Sequence, residues 1–463
     1  MSDEGNFMEE LFKSATSFVW ATALFGARRL GDAWRPEGGG RASDSLDSVT
    51  RAAEAQLGDV LKSAFRAGDR LQRGLLDLTA GASATDLLTS RGMMRTALNA
   101  ARQSANVLGQ VVPGADARVA LSEFQNKLQV FDLFEHADTT LGLPRGAGVP
   151  PGELVARTAG LDSFLAVWAT EGVGHYYAET VWASRGAPVG LFKGAAARGL
   201  PAKSLAALHA GMGLSLANRL LAGVRTCSNC SGGCGLRGTL ERFVALCRAN
   251  SCDGYVGAGY EALGLVARNL YPHLVPCIDR GLREMGGHLA EFFWHGVGRA
   301  IYFAPSNYVP VGSAAGRALE MARREPPDES GRRNALAGLV WAQLLVNLRQ
   351  PEVVENFLRQ YVECGAHDDE AFANGVSSAA VIWRDSAHGD PHLEALCRHR
   401  PDPSRPDAAG RWRRLIETPC RLALDEYYGA LKRHDRVGEV FRRRSLPELV
   451  EELEGAASRG VRA

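Results

Sequence analysis

A glycine-bearing segment that returns six times is the feature that most limits what this chain can fold into. Its clearest copy is Glu171-Gly-Val-Gly-His-Tyr-Tyr-Ala, followed by Ala210-Gly-Met-Gly, Asp253-Gly-Tyr-Val-Gly257 and His295-Gly-Val-Gly-Arg299-Ala. Weaker copies start at Ala337-Gly-Leu-Val-Trp-Ala and Asn374-Gly-Val-Ser-Ser-Ala. The first glycine of each copy stands at 172, 211, 254, 296, 338 and 375, so the steps are 39, 43, 42, 42 and 37 residues. Self-similarity near this spacing is what stacked two-helix units produce, because each unit buries its apolar face only on its neighbours. Strand-like runs with period two are scarce, so the chain is expected to be all-α, with an α-solenoid-like helical-repeat domain.

Each marker reads as a small or short polar residue, a glycine, another small residue and about ten mostly apolar positions. That is a helix whose first turn lies against another backbone with no side chain between them. A glycine inside a helix costs about 1 kcal/mol relative to alanine, so its repeated use points to a need for closeness or access. Two readings follow: tight helix packing, or six helices lining one shared surface with room for a ligand.

The repeats are expected between residues 146 and 398, after the Pro- and Gly-rich stretch Leu143-Pro-Arg-Gly-Ala-Gly-Val-Pro-Pro-Gly152. Lead-in helices are expected at 153–170, 239–249, 280–293 and 351–364. Residues 1–145 read as a separate helical region, and an apolar helix from about residue 7 to residue 29 opens it. That helix suits docking on the rest of the chain or peripheral contact with a membrane surface. A break at Pro36-Glu-Gly-Gly-Gly40 follows, then helices over 43–78, 83–108 and 115–137. After Pro401-Asp-Pro-Ser-Arg-Pro406, residues 399–463 form a helical tail that ends in a helix over 445–457 and closes the other end.

Composition excludes some classes. Apolar residues at 46% and charged residues at 23% are globular values, and a net charge of +1 gives no general attraction to nucleic acid. The acidic start Met1-Ser-Asp-Glu is unlike a secretory leader, and the uncharged run 14–27 is too short to cross a bilayer. A cytoplasmic location is therefore expected, with the nine cysteines as thiols or ligands.

Around the markers the chain is similar to a known family. Phe243-Val-Ala-Leu-Cys247 precedes Asp253-Gly-Tyr; His295-Gly-Val-Gly-Arg-Ala-Ile-Tyr-Phe303 follows, and Arg332-Arg333 stand before Gly338-Leu-Val-Trp-Ala342. Together with Glu171-Gly172 and Ala210-Gly-Met-Gly-Leu, these resemble the UnbL-type accessory proteins of bacteria, which accompany enediyne polyketide synthases. The resemblance covers residues 160–390 and implies an accessory role in natural-product biosynthesis. The first 145 residues and a cysteine-rich insert depart from the family pattern.

That insert is Cys227-Ser-Asn-Cys230-Ser-Gly-Gly-Cys234-Gly. Two thiolates in a CxxC turn can converge on one ion, Cys234 can supply a third and Cys252 or Cys247 a fourth, giving a zinc or iron–sulfur site. A second CxxC or a His pair would normally complete such a set, and neither is present, so free thiols are the competing reading.

Equivalent positions of stacked units face the same side. Glu171, His175, Tyr177, Asp253, Tyr255, His295, Arg299 and Asn374 are therefore the candidate ligand-binding set, joined by His209, Tyr176, Tyr260 and Tyr302. An arginine in a glycine-rich turn can hold a carboxylate or phosphate, and Glu with His can do acid–base work. Each is also an ordinary helix-start or core residue. No phosphate loop, dinucleotide fingerprint, HExxH or GxSxG occurs. Glu363-Cys-Gly-Ala-His-Asp-Asp-Glu370 reads as an acidic helix start and Arg442-Arg443-Arg444 as a solvated helix end. The expected role is a non-catalytic scaffold or binding protein for a protein partner or a hydrophobic small molecule; the alternative is a metal-assisted tailoring enzyme.

Overall fold

The computed structural model describes residues 115–144, 146, 148–224, 235–304, 307, 314–365, 368–405 and 407–460. The apolar N-terminal helix, the helices expected over 43–78 and 83–108, and Cys227, Cys230 and Cys234 lie outside the described residues. All elements described are helical, so the all-α expectation holds. Among the described residues no helix is long and apolar enough to cross a membrane.

Six helices carry the glycine segments: α1 (Ser163–Arg185), α2 (Leu205–Leu221), α3 (Val256–Leu270), α4 (Gly287–Tyr302), α5 (Glu329–Val346) and α6 (Asp369–Ser386). Each has a middle stretch buried on every side. Every residue from 206 to 217 in α2 and from 292 to 302 in α4 is shielded, as expected of helices with neighbours on all sides. The connecting helices are one-sided. In Pro351–Glu363 the buried residues are Val353, Val354, Phe357, Leu358 and Tyr361, a single stripe, and Val275–Met285 buries Ile278, Asp279 and Leu282.

The glycine pattern explains how the six pack. Residues two apart on an α-helix point about 200° apart, toward opposite neighbours. A methyl on Gly211 would overlap the Glu171 carbonyl of α1, whereas one on Gly213 would meet Gly259 of α3. Gly296 likewise abuts the Glu261 carbonyl of α3, and Gly298 the Ala335 carbonyl of α5. Gly338 rests on the His295 carbonyl and Gly375 on that of Ala337. The Gly-x-Gly spacing thus strips both flanks of one helix, and each helix lies backbone to backbone with the one before and the one after.

The row curls on itself. Helices sit about 8–10 Å apart, so the first and fourth of a straight row would be roughly 25 Å apart and out of side-chain reach. Yet Arg299 of α4 touches Glu171 of α1. The ring of Phe164, at the start of α1, lies 5.7 Å from that of Trp383, near the end of α6, and α6 also packs on α2.

Several boundaries differ from expectation. The lead-in over 153–170 is a short helix, Pro151–Ala156, then a turn; α1 begins after Asp162, whose carboxylate accepts the Leu165 N–H at 3.0 Å. The stretch 280–293 breaks at Gly286, between Val275–Met285 and α4. Gly254 lies in the turn before α3 with φ +83°, so the third unit packs through Gly257, Gly259 and Gly264.

The tail packs against α6, the last helix of the row. A rod from Ala408 to Arg433 lies along α6. It widens to π-turns at Arg413–Glu417 and Ala423–Tyr427; the first precedes Pro419, whose ring and missing N–H do not fit a regular α-turn. The strap 437–445 then crosses the leading halves of four helices. Gly438 N–H donates to Gly254 O at 2.6 Å, Arg443 N–H to Asn334 Oδ1 at 2.7 Å, and Asn374 Nδ2 to Arg444 O at 2.6 Å.

Gly298→Ala is expected to lower stability by about 1–3 kcal/mol or to abolish folding, because backbone blocks the new methyl. Gly238→Ala, where a Cβ meets nothing within 4 Å, is expected to be neutral or to stabilise by up to about 1 kcal/mol. Urea unfolding of both variants checks the contrast; equal effects would refute the packing account.

Candidate functional site

His295 and Arg299 are one turn apart on α4 and share a face. Arg299 Nη2 donates to Glu171 Oε1 of α1 at 2.5 Å, and Nη1 to Glu261 Oε2 of α3 at 3.3 Å. His295 Nδ1 lies 3.3 Å from the other Glu261 oxygen. Trp341 of α5 completes the group, its ring centroid 5.2 Å from the Arg299 guanidinium carbon and 6.1 Å from the His295 ring. Glu171, Glu261, His295 and Arg299 are each 5% exposed or less. Backbone contact between the helices lets these side chains meet across the middle of the row.

Two carboxylates share one guanidinium here. Burial pushes the Glu171 carboxyl up; Arg299 opposes this and Glu261 adds to it. Burial also works against the Arg299 charge, but the two carboxylates together outweigh it and hold the guanidinium protonated. Arg299 Nε, His295 Nε2 and Trp341 Nε1 have no hydrogen-bond partner among the described residues. A glutamate behind Nδ1 of an imidazole whose Nε2 is unengaged is the arrangement of an acid–base pair. The ring itself is 0% exposed.

Tyr255 belongs to a second cluster. Its hydroxyl donates to Asp385 Oδ2 at 2.8 Å and accepts from Lys432 Nζ at 2.5 Å. Lys432 also donates to Asp385 Oδ1 at 2.7 Å, and Tyr428 OH to the same oxygen at 3.2 Å. Burial and the neighbouring Asp385 carboxylate push both phenols up, that of Tyr428 to about 12. The set joins the start of α3, the end of α6 and the tail. His209, inside α2, stacks on Tyr255 at 5.6 Å. Its Nδ1 donates to Leu205 O at 2.7 Å and its Nε2 accepts the Cys252 N–H at 3.0 Å, so the ring is neutral. Burial holds it down at about 4.

The other candidates are dispersed. His175 packs edge-on against Phe134, with ring centroids 5.4 Å apart, and Tyr177 against Phe192 at 6.1 Å. Asp253 is exposed in the turn before α3, not inside the helix. Asn374 serves the strap. Burial pushes the Cys252 thiol up to about 11, and its expected partners in the insert lie outside the described residues. Among the described residues no three His, Cys, Asp or Glu side chains are placed to hold a metal. Glu261, Trp341, Asp385 and Lys432 were not anticipated; the one available signal was a lone carboxylate at 261 in an otherwise apolar helix.

The strap carries a third feature. Arg442, Arg443 and Arg444, expected as a solvated helix end, have side chains only 14%, 20% and 24% exposed. They pair with Glu291 and Glu439, with Glu370, and with Glu452 respectively. With Glu291, Glu370, Glu448 and Ser445 they line a cleft of about 480 Å³ open to solvent. Asp368 caps α6 by accepting the Ala371 N–H at 2.9 Å, so its acidic start is a helix cap as expected.

No protein-family profile matches the chain, and no curated protein or solved structure matches it either.

Arg299→Met leaves two buried carboxylates without a counter-charge and is expected to cost about 3–5 kcal/mol in chemical denaturation. A cost below about 1 kcal/mol would refute its bridging role. His209 titrates near 6.5 when unfolded and about 4 when folded, so its stabilising contribution is complete above pH 6.5 and lost as pH falls toward 4. The change amounts to about 3 kcal/mol. Urea midpoints across pH 7.5 to 4 are expected to fall less steeply in His209→Gln than in the natural chain.

Proposed function

We propose that this chain is a non-catalytic helical binding protein, which carries a protein partner on the face crossed by the 437–445 strap. The accessory role in polyketide or other natural-product biosynthesis that the resemblance implies belongs to the same proposal. One observation carries the reading. The acid–base groups that converge, Glu171, Glu261, His295 and Arg299, are bound to one another and sealed in the core. Groups spent on holding three helices together are poorly placed to meet a substrate. The open cleft presents three arginines and three glutamates. Such a lining suits a polypeptide surface of mixed charge better than a hydrophobic small molecule, since buried charges left unpaired by an apolar ligand oppose its binding.

The second reading is a metal-assisted tailoring enzyme acting on a hydrophobic intermediate, with zinc or an iron–sulfur cluster on Cys227, Cys230 and Cys234. The unengaged Nε2 of His295, backed by Glu261, favours it. It requires the core to open.

The two readings separate in one set of measurements. Proteins encoded beside this gene are titrated against the purified chain by analytical ultracentrifugation, and zinc and iron are measured on the same sample. Saturable binding that weakens in Glu448→Arg, an exposed position on the cleft wall, at unchanged melting temperature supports the binding reading. Stoichiometric metal, with conversion of a polyketide substrate that disappears in a folded His295→Gln variant, would replace it with the enzyme.

A further inference from the structure

Two buried cysteines meet where the tail joins the rest of the molecule. Cys397 lies in the last turn of the helix His392–Arg398, and Cys420 lies on the rod, in Thr418–Leu422. These two segments pack together, and both cysteines are 0% exposed. The two side chains lie against one another, each the largest influence on the other's thiol. In sequence they are 23 residues apart, across the proline-rich break that follows residue 398. Neither takes part in the clusters described above.

We propose that Cys397 and Cys420 form a reversible dithiol–disulfide couple that fixes the rod, and with it the strap, to the segment following α6.

With hydrogen peroxide as oxidant, the thiolate of one cysteine displaces hydroxide from the peroxide oxygen and becomes a sulfenic acid. The sulfur of the other then attacks it, and hydroxide leaves with the second thiol's proton as water. The net change is two thiols and one peroxide to one disulfide and two waters. A dithiol reductant returns the pair by exchange. Because both sulfurs are buried, oxidation passes through local opening and is slower than that of the exposed Cys364.

The full-length chain is treated with hydrogen peroxide, unfolded, alkylated, digested and mapped by mass spectrometry, with hydrogen exchange measured in parallel. The expected result is one linked species, the Cys397 peptide joined to the Cys420 peptide, about 2 Da lighter than the two together. It appears after Cys364 has reacted and disappears on reduction. In the oxidised chain the amides of the rod exchange more slowly than in the reduced chain. Pairing of Cys397 with any other cysteine overturns the proposal. So does full alkylation of both residues after prolonged treatment, or a linked species whose rod exchanges at the reduced rate.

Discussion

Backbone-to-backbone contact between successive helices is the constraint from which the rest of this molecule follows. Where Gly211, Gly213, Gly296, Gly298 and Gly338 face a neighbour, no side chain separates the two chains. The glycines themselves bury little apolar area. Their contribution is proximity: main-chain atoms of one helix lie against those of the next, and the flanking side chains interlock at short range. Closeness of this kind is unforgiving, because a carbonyl cannot swing aside as the end of a lysine can.

Proximity also decides where charge can sit. With the helices this close and the row curled, Arg299 can bridge a glutamate on α1 and another on α3, and Trp341 can close the group from α5. A buried ion pair is weak evidence for stability, since desolvation offsets much of the attraction. It is better evidence for register. Only one arrangement of α1, α3 and α4 pairs the guanidinium with both carboxylates. The cluster of Tyr255, Asp385 and Lys432 does the same for the tail and the end of α6.

The helical class, the forty-residue rhythm and most of the polar residues near the centre could be read from the sequence, because glycine and polar residues stand out in an apolar helix. The curl could not. A period gives the number of residues per unit and says nothing of the rotation between units, so an open stack and a closed row share one pattern. Glu261 was missed because its helix was judged by Gly254, which lies in the preceding turn. The arginines at 442–444 looked solvated because their carboxylates come from positions as distant as 291 and 370. Tyr255, Asp385 and Lys432 lie 130 and 47 residues apart in sequence, a separation at which local patterning carries no signal.

The Arg299–Glu171 bridge has a consequence for how a chain of this kind can change length. Repeat arrays commonly gain or lose whole modules, since each touches only its neighbours and the energy scales with their number. Here a side chain on the fourth helix must reach the first. Duplicating or deleting one module between them would leave the guanidinium and the carboxylate stranded in apolar surroundings. The run of helices from α1 to α4 is thereby fixed by a single reach across the interior, and growth within it is confined to the loops.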